Sequence, residues 1–181
     1  MNNLFDVKDL CVMISGSSHG IGLTLAEGFL SNGAKVAISS ENESELNEAY
    51  AQLKSKYHNR VSSVLCDVKS FQFCQNAIKK TVADLGSLTT TICNAGVDII
   101  KPVEKYSESD WNFIVDVNLK GAFALSQAAV QYYLQNKIAG TIIFTSSIAG
   151  SIGISGLVPY TATKGGINQL TKTMAVEISK R

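Results

Sequence analysis

Five short apolar segments recur along the chain at a nearly constant spacing, and this feature limits the possible fold more than any other. They cover positions 10–14, 36–38, 61–66, 88–93 and 141–145, and the first four begin roughly 26 residues apart, the length of one strand plus one helix. Most of them are too continuously apolar to have one exposed face. We therefore predict five strands, most of them covered on both sides, as in a parallel sheet.

The segments between these strands carry helical patterns. An apolar stripe with helical spacing lies between the second and third strands, and it consists of Leu46, Tyr50, Leu53 and Tyr57. Ser107 and Asp110 form a capping-box pattern that predicts the start of a long helix ending near residue 136. Positions 1–181 are therefore expected to form a single α/β domain, a doubly wound parallel sheet of the Rossmann type. Such sheets usually have six strands or more, so we expect this one to be incomplete at its C-terminus.

Composition and charge exclude several classes of protein. The 181 residues include 16 basic and 15 acidic side chains, a net charge of +1, which does not favour a nucleic-acid-binding or membrane-surface protein. No apolar run approaches the roughly 18 residues of a membrane span, and the first ten residues lack the apolar core of a signal peptide. The four cysteines form no CxxC pair, which argues against a disulfide scaffold or a zinc site. We expect a cytoplasmic protein.

A glycine-rich turn follows the first predicted strand and leads into a helix. Its sequence, SGSSHGIG at positions 15–22, has the spacing GxxxGxG. Glycines allow a tight turn and a close backbone approach, while a helix N-terminus offers free N–H groups to a pyrophosphate. An ordinary flexible turn is the alternative, but the position between strand and helix favours dinucleotide binding. The predicted cofactor contacts in this turn are Gly16, Ser18, His19, Gly20, Ile21 and Gly22.

The end of the second strand is expected to meet the adenosine ribose. Ser40 and Glu41 stand there, and the Glu41 carboxylate could accept a hydrogen bond from a ribose 2′-hydroxyl while repelling a 2′-phosphate. No arginine or lysine stands beside Glu41, and only His19 could favour the phosphate, so the pattern slightly favours NAD over NADP. A solvated Glu41 without a ligand is an equal alternative. Further cofactor contacts are expected at the ends of the third and fourth strands: Asp67, Val68, Asn94, Ala95 and Gly96.

Four side chains suggest proton-transfer chemistry. Tyr160 and Lys164 are four residues apart, so they share one face of the last helix. A neighbouring ammonium stabilises a phenolate, which makes such a pair a proton-transfer device, although an amphipathic helix explains the same spacing. Ser147 follows the fifth strand and would face the same edge of the sheet. Asn118 stands in the apolar stripe of the long helix, where its amide either satisfies a local backbone break or holds a relay water. That stripe consists of Trp111, Val115, Asn118, Ala122, Leu125 and Ala129.

The whole chain resembles the short-chain dehydrogenase/reductase family. The matching segments are SGSSHGIG, CDV, CNAG, DVNLKGAF, TSSIAG and YTATK, and Ser147 precedes Tyr160 by 13 positions, as in the family. The resemblance implies an NAD(P)-dependent oxidoreductase that interconverts an alcohol and a carbonyl. It makes Tyr160 the general acid and base, Ser147 the group that orients and polarises the substrate oxygen, Lys164 its electrostatic partner and ribose ligand, and Asn118 the anchor of a relay water.

The same resemblance implies further contacts and partners. The glycines would cradle the pyrophosphate, Asp67 would contact the adenine and Asn94 the adenosine side. The family's markers for NAD at position 40 and for NADP at position 41 are both absent, so the cofactor is NAD or NADP. Family members form dimers and tetramers through the helices that carry Asn118 and Tyr160, so a homo-oligomer is expected, although burial of these helices inside the monomer competes equally with that use.

Two segments resemble the branch of the family that acts on gluconate and related keto-sugar acids. They are LFDVKDL near the start and NAGVDIIKPVEKYSESDW after the fourth strand, in which Lys101 could assist a substrate carboxylate or could simply be solvated. Family members are longer, so the resemblance implies a C-terminally truncated chain with weak or no activity alone. The alternative to a dehydrogenase is a truncated, non-catalytic remnant that binds nucleotide or a partner subunit. A methyltransferase, which has a similar sheet and glycine turn, is a third alternative, but it would have no need of Ser147, Tyr160 and Lys164.

Overall fold

Five parallel strands form one sheet in residues 6–181, the part of the chain that the computed structural model describes. They are β1 (Cys11–Ile14), β2 (Lys35–Ser40), β3 (Val61–Leu65), β4 (Thr90–Cys93) and β5 (Thr141–Phe144). The strand order is β3-β2-β1-β4-β5, so β1 is central. Strands β2 and β3 are added on one side of it, and β4 and β5 on the other. The five predicted strands are confirmed, with boundaries that differ by one or two residues. The first residues of the LFDVKDL segment, Leu4 and Phe5, lie outside the described residues.

Helices cover both faces of this sheet. They are α1 (Gly20–Ser31), α2 (Glu43–Tyr57), α3 (Phe71–Leu85), α4 (Glu108–Val115), α5 (Ala122–Asn136) and α6 (Val158–Ile178). Successive residues of β1 point to opposite faces: Val12 and Ile14 pack in a core with α1 and α2, whereas Cys11 and Met13 pack in a second core with α3, α5 and α6. All of β1 is buried, as the predicted two-sided parallel sheet requires. The doubly wound Rossmann-type fold is confirmed.

Helices α4 and α5 are joined by a π-helical turn, Asp116–Gly121, into the predicted long helix. The capping box of Ser107 and Asp110 is present at its start. The extra residue of a π turn shifts the buried face, so Ile114 is buried while Trp111 is 44% exposed. The prediction that Trp111 lies on the buried stripe is therefore wrong.

The long helix also has the length and hydropathy of a membrane span. The segment Glu108–Asn136 has a mean hydropathy of 1.2 over its most apolar window, yet 56% of that window is buried inside the fold. The apolar character of this helix is explained by its packing in the second core of the fold.

The strand β5 lies at one side of the sheet. Within the described residues it pairs with β4 alone, and Ile143 is 44% exposed. A groove of about 860 Å³ runs along this strand between α5 and α6, with Tyr133, Phe144 and Met174 among the residues that line it.

Candidate active site

A cleft of about 420 Å³ opens at the carboxyl ends of the strands. Every residue predicted in the glycine turn and at the strand ends lines it, with the exception of Asp67. The larger groove beside β5 contains none of the predicted site residues. Because polar groups from four strand ends converge only on the smaller cleft, we place the candidate site there.

Backbone conformation or close packing disfavours a side chain at each of the three glycines in the turn. Gly16 and Gly20 have φ values of +61° and +56°, in the left-handed region that other residues rarely adopt. A Cβ atom on Gly22 would lie 2.2 Å from the Gly16 carbonyl oxygen, and one on Gly16 would lie 2.8 Å from the Cα atom of Ala95. The turn therefore packs directly on the end of β4.

The N-terminus of α1 differs from those of the next three helices. Asn42, Ser70 and Ser107 cap α2, α3 and α4 with side-chain hydrogen bonds. His19 makes no such bond at the start of α1, and the first turn of α1 contains no acidic residue. Its backbone N–H groups are thus available to an anion in the cleft, where the helix dipole also favours negative charge. The pyrophosphate of a dinucleotide fits these features.

Asn94 connects the glycine turn to two strands. Its Nδ2 atom donates hydrogen bonds to the carbonyl oxygens of Ser15 (3.1 Å) and Gly16 (3.0 Å), and its Oδ1 atom accepts one from Thr145 Oγ1 (3.2 Å). Both amide hydrogens are therefore engaged within the protein. The residue lines the cleft, as expected from the sequence, but the structure also gives it a positioning role that the sequence did not indicate.

Lys164 is buried close to Tyr160 on one face of α6. It is 4% exposed, its Nζ atom donates to the Thr145 carbonyl oxygen at 2.7 Å, and that atom lies 5.5 Å from the centroid of the Tyr160 ring. Burial lowers the pKa of Lys164. A Cβ atom on Gly96 would lie 3.7 Å from the ammonium, so Lys164 lies directly behind Gly96 and Thr145, which line the cleft. The four predicted catalytic residues are not themselves among the residues that line it: Asn118, Ser147, Tyr160 and Lys164. Lys164 and Tyr160 thus lie side by side on α6, as their spacing predicts, and their catalytic roles stay predictions.

Asn118 lies in the π turn and is 1% exposed. It forms a reciprocal pair of hydrogen bonds with the backbone of Val97, both 2.8 Å long, and donates to Thr163 Oγ1 at 3.3 Å. The backbone that this amide satisfies is not a break in its own helix, as predicted, but the loop after β4, 21 positions earlier in the chain. The relay water remains a prediction.

Ser147 lies between β5 and α6, at the start of the short 3-10 helix Ile148–Gly150. Its Oγ atom accepts a hydrogen bond from the backbone N–H of Ala149 at 3.1 Å, and the side chain is half-buried. The loop is fixed to α6 because Ser146 Oγ donates to Asn168 Oδ1 (2.7 Å) and Asn168 Nδ2 donates to the Gly150 carbonyl oxygen (3.1 Å). The same helix thus fixes the loop of Ser147 and carries Tyr160.

A cation that the sequence analysis missed lies beside Glu41, at the end of the cleft where the adenosine ribose is predicted to bind. Lys69 Nζ lies 3.7 Å from Glu41 Oε2 and 3.4 Å from Asp67 Oδ2. Glu41 therefore does have a lysine beside it, contrary to the prediction, because β2 and β3 are parallel neighbours and their carboxyl ends lie close together. The sequence signal that could have found this cation is Lys69 itself, two positions after Asp67 at the end of the third strand.

Lys101 has a partner other than a substrate. Its Nζ atom lies 2.7 Å from Asp110 Oδ2, within the capping box of α4. The hydrogen bonds from Lys101 and Ser107 lower the pKa of Asp110 to about 2. The Lys101 ammonium therefore stabilises the start of a helix in this structure.

Known proteins resemble the chain along almost its whole length. The profile of the short chain dehydrogenase family matches residues 10–181. A gluconate 5-dehydrogenase of Gluconobacter oxydans is 30% identical over 175 residues, which are 97% of this chain and 68% of that protein. Two solved structures are similar as well. A short chain dehydrogenase from Bacillus anthracis has a TM-score of 0.91 and 30% identity, over 97% of this chain and 72% of that one. A gluconate 5-dehydrogenase from Burkholderia cenocepacia, solved with NADP and tartrate, has a TM-score of 0.85 and 29% identity, over 93% and 65%.

Proposed function

The chain belongs to the short chain dehydrogenase family, and from this premise we propose that it is an NAD(P)-dependent oxidoreductase that interconverts a secondary alcohol and a carbonyl. The observation that carries the proposal is the buried Lys164 ammonium, which Thr145 holds behind the wall of the cleft, 5.5 Å from the centroid of the Tyr160 ring. When bound, the nicotinamide dinucleotide accepts the hydride from the alcohol or supplies it to the carbonyl.

Tyr160 moves the proton in this proposal. Its phenolic oxygen takes the hydroxyl proton during oxidation and returns it to the carbonyl oxygen during reduction. Lys164 stabilises the phenolate because its positive charge is held close by in a poorly solvated position. Ser147 donates a hydrogen bond to the substrate oxygen and so orients the reacting carbon.

Asn118 acts on the cleft through the loop that it holds. Its bonds to Val97 fix the segment after β4, and its bond to Thr163 fixes the start of α6. Thr163 Oγ1 in turn donates to the Tyr160 carbonyl oxygen at 2.7 Å. We assign Asn118 a positioning role and, as in the family, the binding of a relay water.

We further propose a sugar acid such as gluconate as the substrate. The support is the similarity to two gluconate 5-dehydrogenases, from Gluconobacter oxydans and Burkholderia cenocepacia. Lys101 does not contribute in this proposal, because its ammonium is paired with Asp110.

The test follows the near-ultraviolet absorbance of the reduced nicotinamide across a panel of sugar acids, keto acids and simple secondary alcohols. Tyr160→Phe is expected to lower turnover by about 100-fold or more while dinucleotide binding, measured by calorimetry, stays unchanged. Tyr132→Phe is the matched control, since it removes a half-buried phenol from α5 outside the cleft. Undiminished turnover in Tyr160→Phe would disprove the proposed role.

A further inference from the structure

Charged side chains of both signs meet at the adenosine end of the cleft. Glu41 follows β2, Asp67 and Lys69 follow β3, and Glu45 lies in the first turn of α2. Lys69 is within 3.7 Å of Glu41 and 3.4 Å of Asp67. Dinucleotide-binding folds place the adenosine ribose at the end of their second strand, so the 2′ substituent is expected beside Glu41.

Lys69 keeps its positive charge in these surroundings. Its partial burial would lower the pKa, but the carboxylates of Asp67 and Glu41 outweigh that effect, and the pKa of Lys69 is raised. An ammonium has three N–H donors, so two carboxylate neighbours leave one for a further oxygen. The side chain is 33% exposed and therefore accessible to a ligand.

His19 is a weaker candidate for the same task. Its Nε2 atom lies 3.8 Å from Glu45 Oε2, and its side chain is 78% exposed. Glu45 also accepts a hydrogen bond from Ser18 Oγ at 3.3 Å and one from Asn42 Nδ2 at 3.1 Å. The carboxylate of Glu45 offsets any charge on His19, and the His19 side chain is far more exposed than that of Lys69, 78% against 33%.

We propose that Lys69 is a specificity-determining residue for the cofactor: its ammonium binds the 2′-phosphate of NADP beside Glu41. The chain then accepts the phosphorylated dinucleotide although an acid stands at position 41. With NAD, Lys69 stays paired with Glu41, whose carboxylate accepts a hydrogen bond from the ribose. This inference rests on the proposed function, because it requires a dinucleotide in the cleft.

The test measures the binding of NADP and NAD to the full chain by calorimetry at low salt. Lys69→Met is expected to weaken NADP binding about tenfold and to change NAD binding by less than about twofold. Glu41→Gln is expected to act in the opposite direction and strengthen NADP binding. Lys56→Met is the matched control. Lys56 lies in the last turn of α2, at the end of that helix away from the cleft, and it pairs with Glu27 of α1.

Two smaller ligands locate the effect. Adenosine 2′,5′-bisphosphate and 5′-AMP differ only in the 2′-phosphate, so Lys69→Met is expected to weaken the first and spare the second. Lys69→Arg keeps the charge and is expected to restore NADP binding, while Lys69→Gln provides a second neutral variant if Lys69→Met fails to fold.

The outcomes separate the inference from the proposed function. A wild-type chain that binds neither dinucleotide overturns both. A chain that binds NADP and NAD, with Lys69→Met and Lys69→Gln leaving their ratio unchanged, overturns the inference alone. A tenfold loss confined to the ligands with a 2′-phosphate supports it.

Discussion

The two ends of the cleft hold their polar groups in opposite ways. Behind the end lined by Gly96 and Thr145, where we propose the catalysis, Asn118 and Lys164 are 1% and 4% exposed and hydrogen-bond to backbone atoms. Beside the end lined by Ser40 and Glu41, where we propose the adenosine, the side chains of Glu41 and Lys69 are 55% and 33% exposed and pair with each other. Buried groups with backbone partners fix geometry, whereas exposed ion pairs contribute little to stability and can exchange partners. We expect substitutions at the first end to affect folding and turnover, and those at the second to affect ligand selectivity.

Lys164→Met is expected to give the largest effect. Turnover should fall about 100-fold or more, because the phenolate of Tyr160 loses its neighbouring charge. Stopped-flow or steady-state assays of the reduced nicotinamide measure this loss. Lys172→Met, at an exposed position of the same helix, is the matched control and should leave turnover unchanged.

The pH dependence of stability gives the same variant a second measure. Burial lowers the pKa of Lys164 below 10.5, so at alkaline pH the unfolded chain binds a proton that the folded chain has lost. The free energy of unfolding of the wild type should therefore rise relative to Lys164→Met as the pH approaches 10.5. A constant difference between the two chains would contradict the burial of a charged Lys164.

Asn118→Leu is expected to destabilise the fold by about 1–3 kcal/mol. The leucine leaves the partly buried N–H and C=O groups of Val97 without their partners. Urea unfolding measures the change, and Asn112→Leu, at an exposed position of α4, serves as the control. Equal losses in the two variants would show that the amide of Asn118 is not important to the fold.

Glu41→Gln is expected to have the smallest effect on stability. Breaking its pair with Lys69 should change the free energy of unfolding by less than about 1 kcal/mol, since both side chains are partly solvated. The same urea measurements show the result. A loss as large as that of Asn118→Leu would remove the contrast between the two ends of the cleft.

Local patterns predicted most of the fold. The apolar strands, the capping box of Ser107 and the long helix depend on residues close in sequence, and all three are present. The buried stripe failed at Trp111 because a π turn changes the phase of a helix without a distinct local signal. Asn118 interrupts the apolar stripe at that turn, but its amide bonds to the backbone of Val97 in the loop after β4 and not to the turn itself.

Contacts between distant residues explain what the sequence analysis missed. Glu41 and Lys69 are 28 positions apart and meet only because their strands are neighbours in the sheet. Lys101 and Asp110 come together through the fold of the loop before α4, which no periodic pattern describes. The strand order was not part of the sequence prediction, and without it the partners of exposed charges stay undetermined.

The single amide of Asn94 has a consequence for ligand binding. By joining the turn after β1 to the end of β5, it restrains the glycine turn, where we propose that the pyrophosphate binds, before any ligand arrives. A ligand then loses little affinity to the ordering of that loop, and more of its contact energy is expressed as binding. Recognition at this site is therefore closer to docking on a rigid surface than to folding upon association.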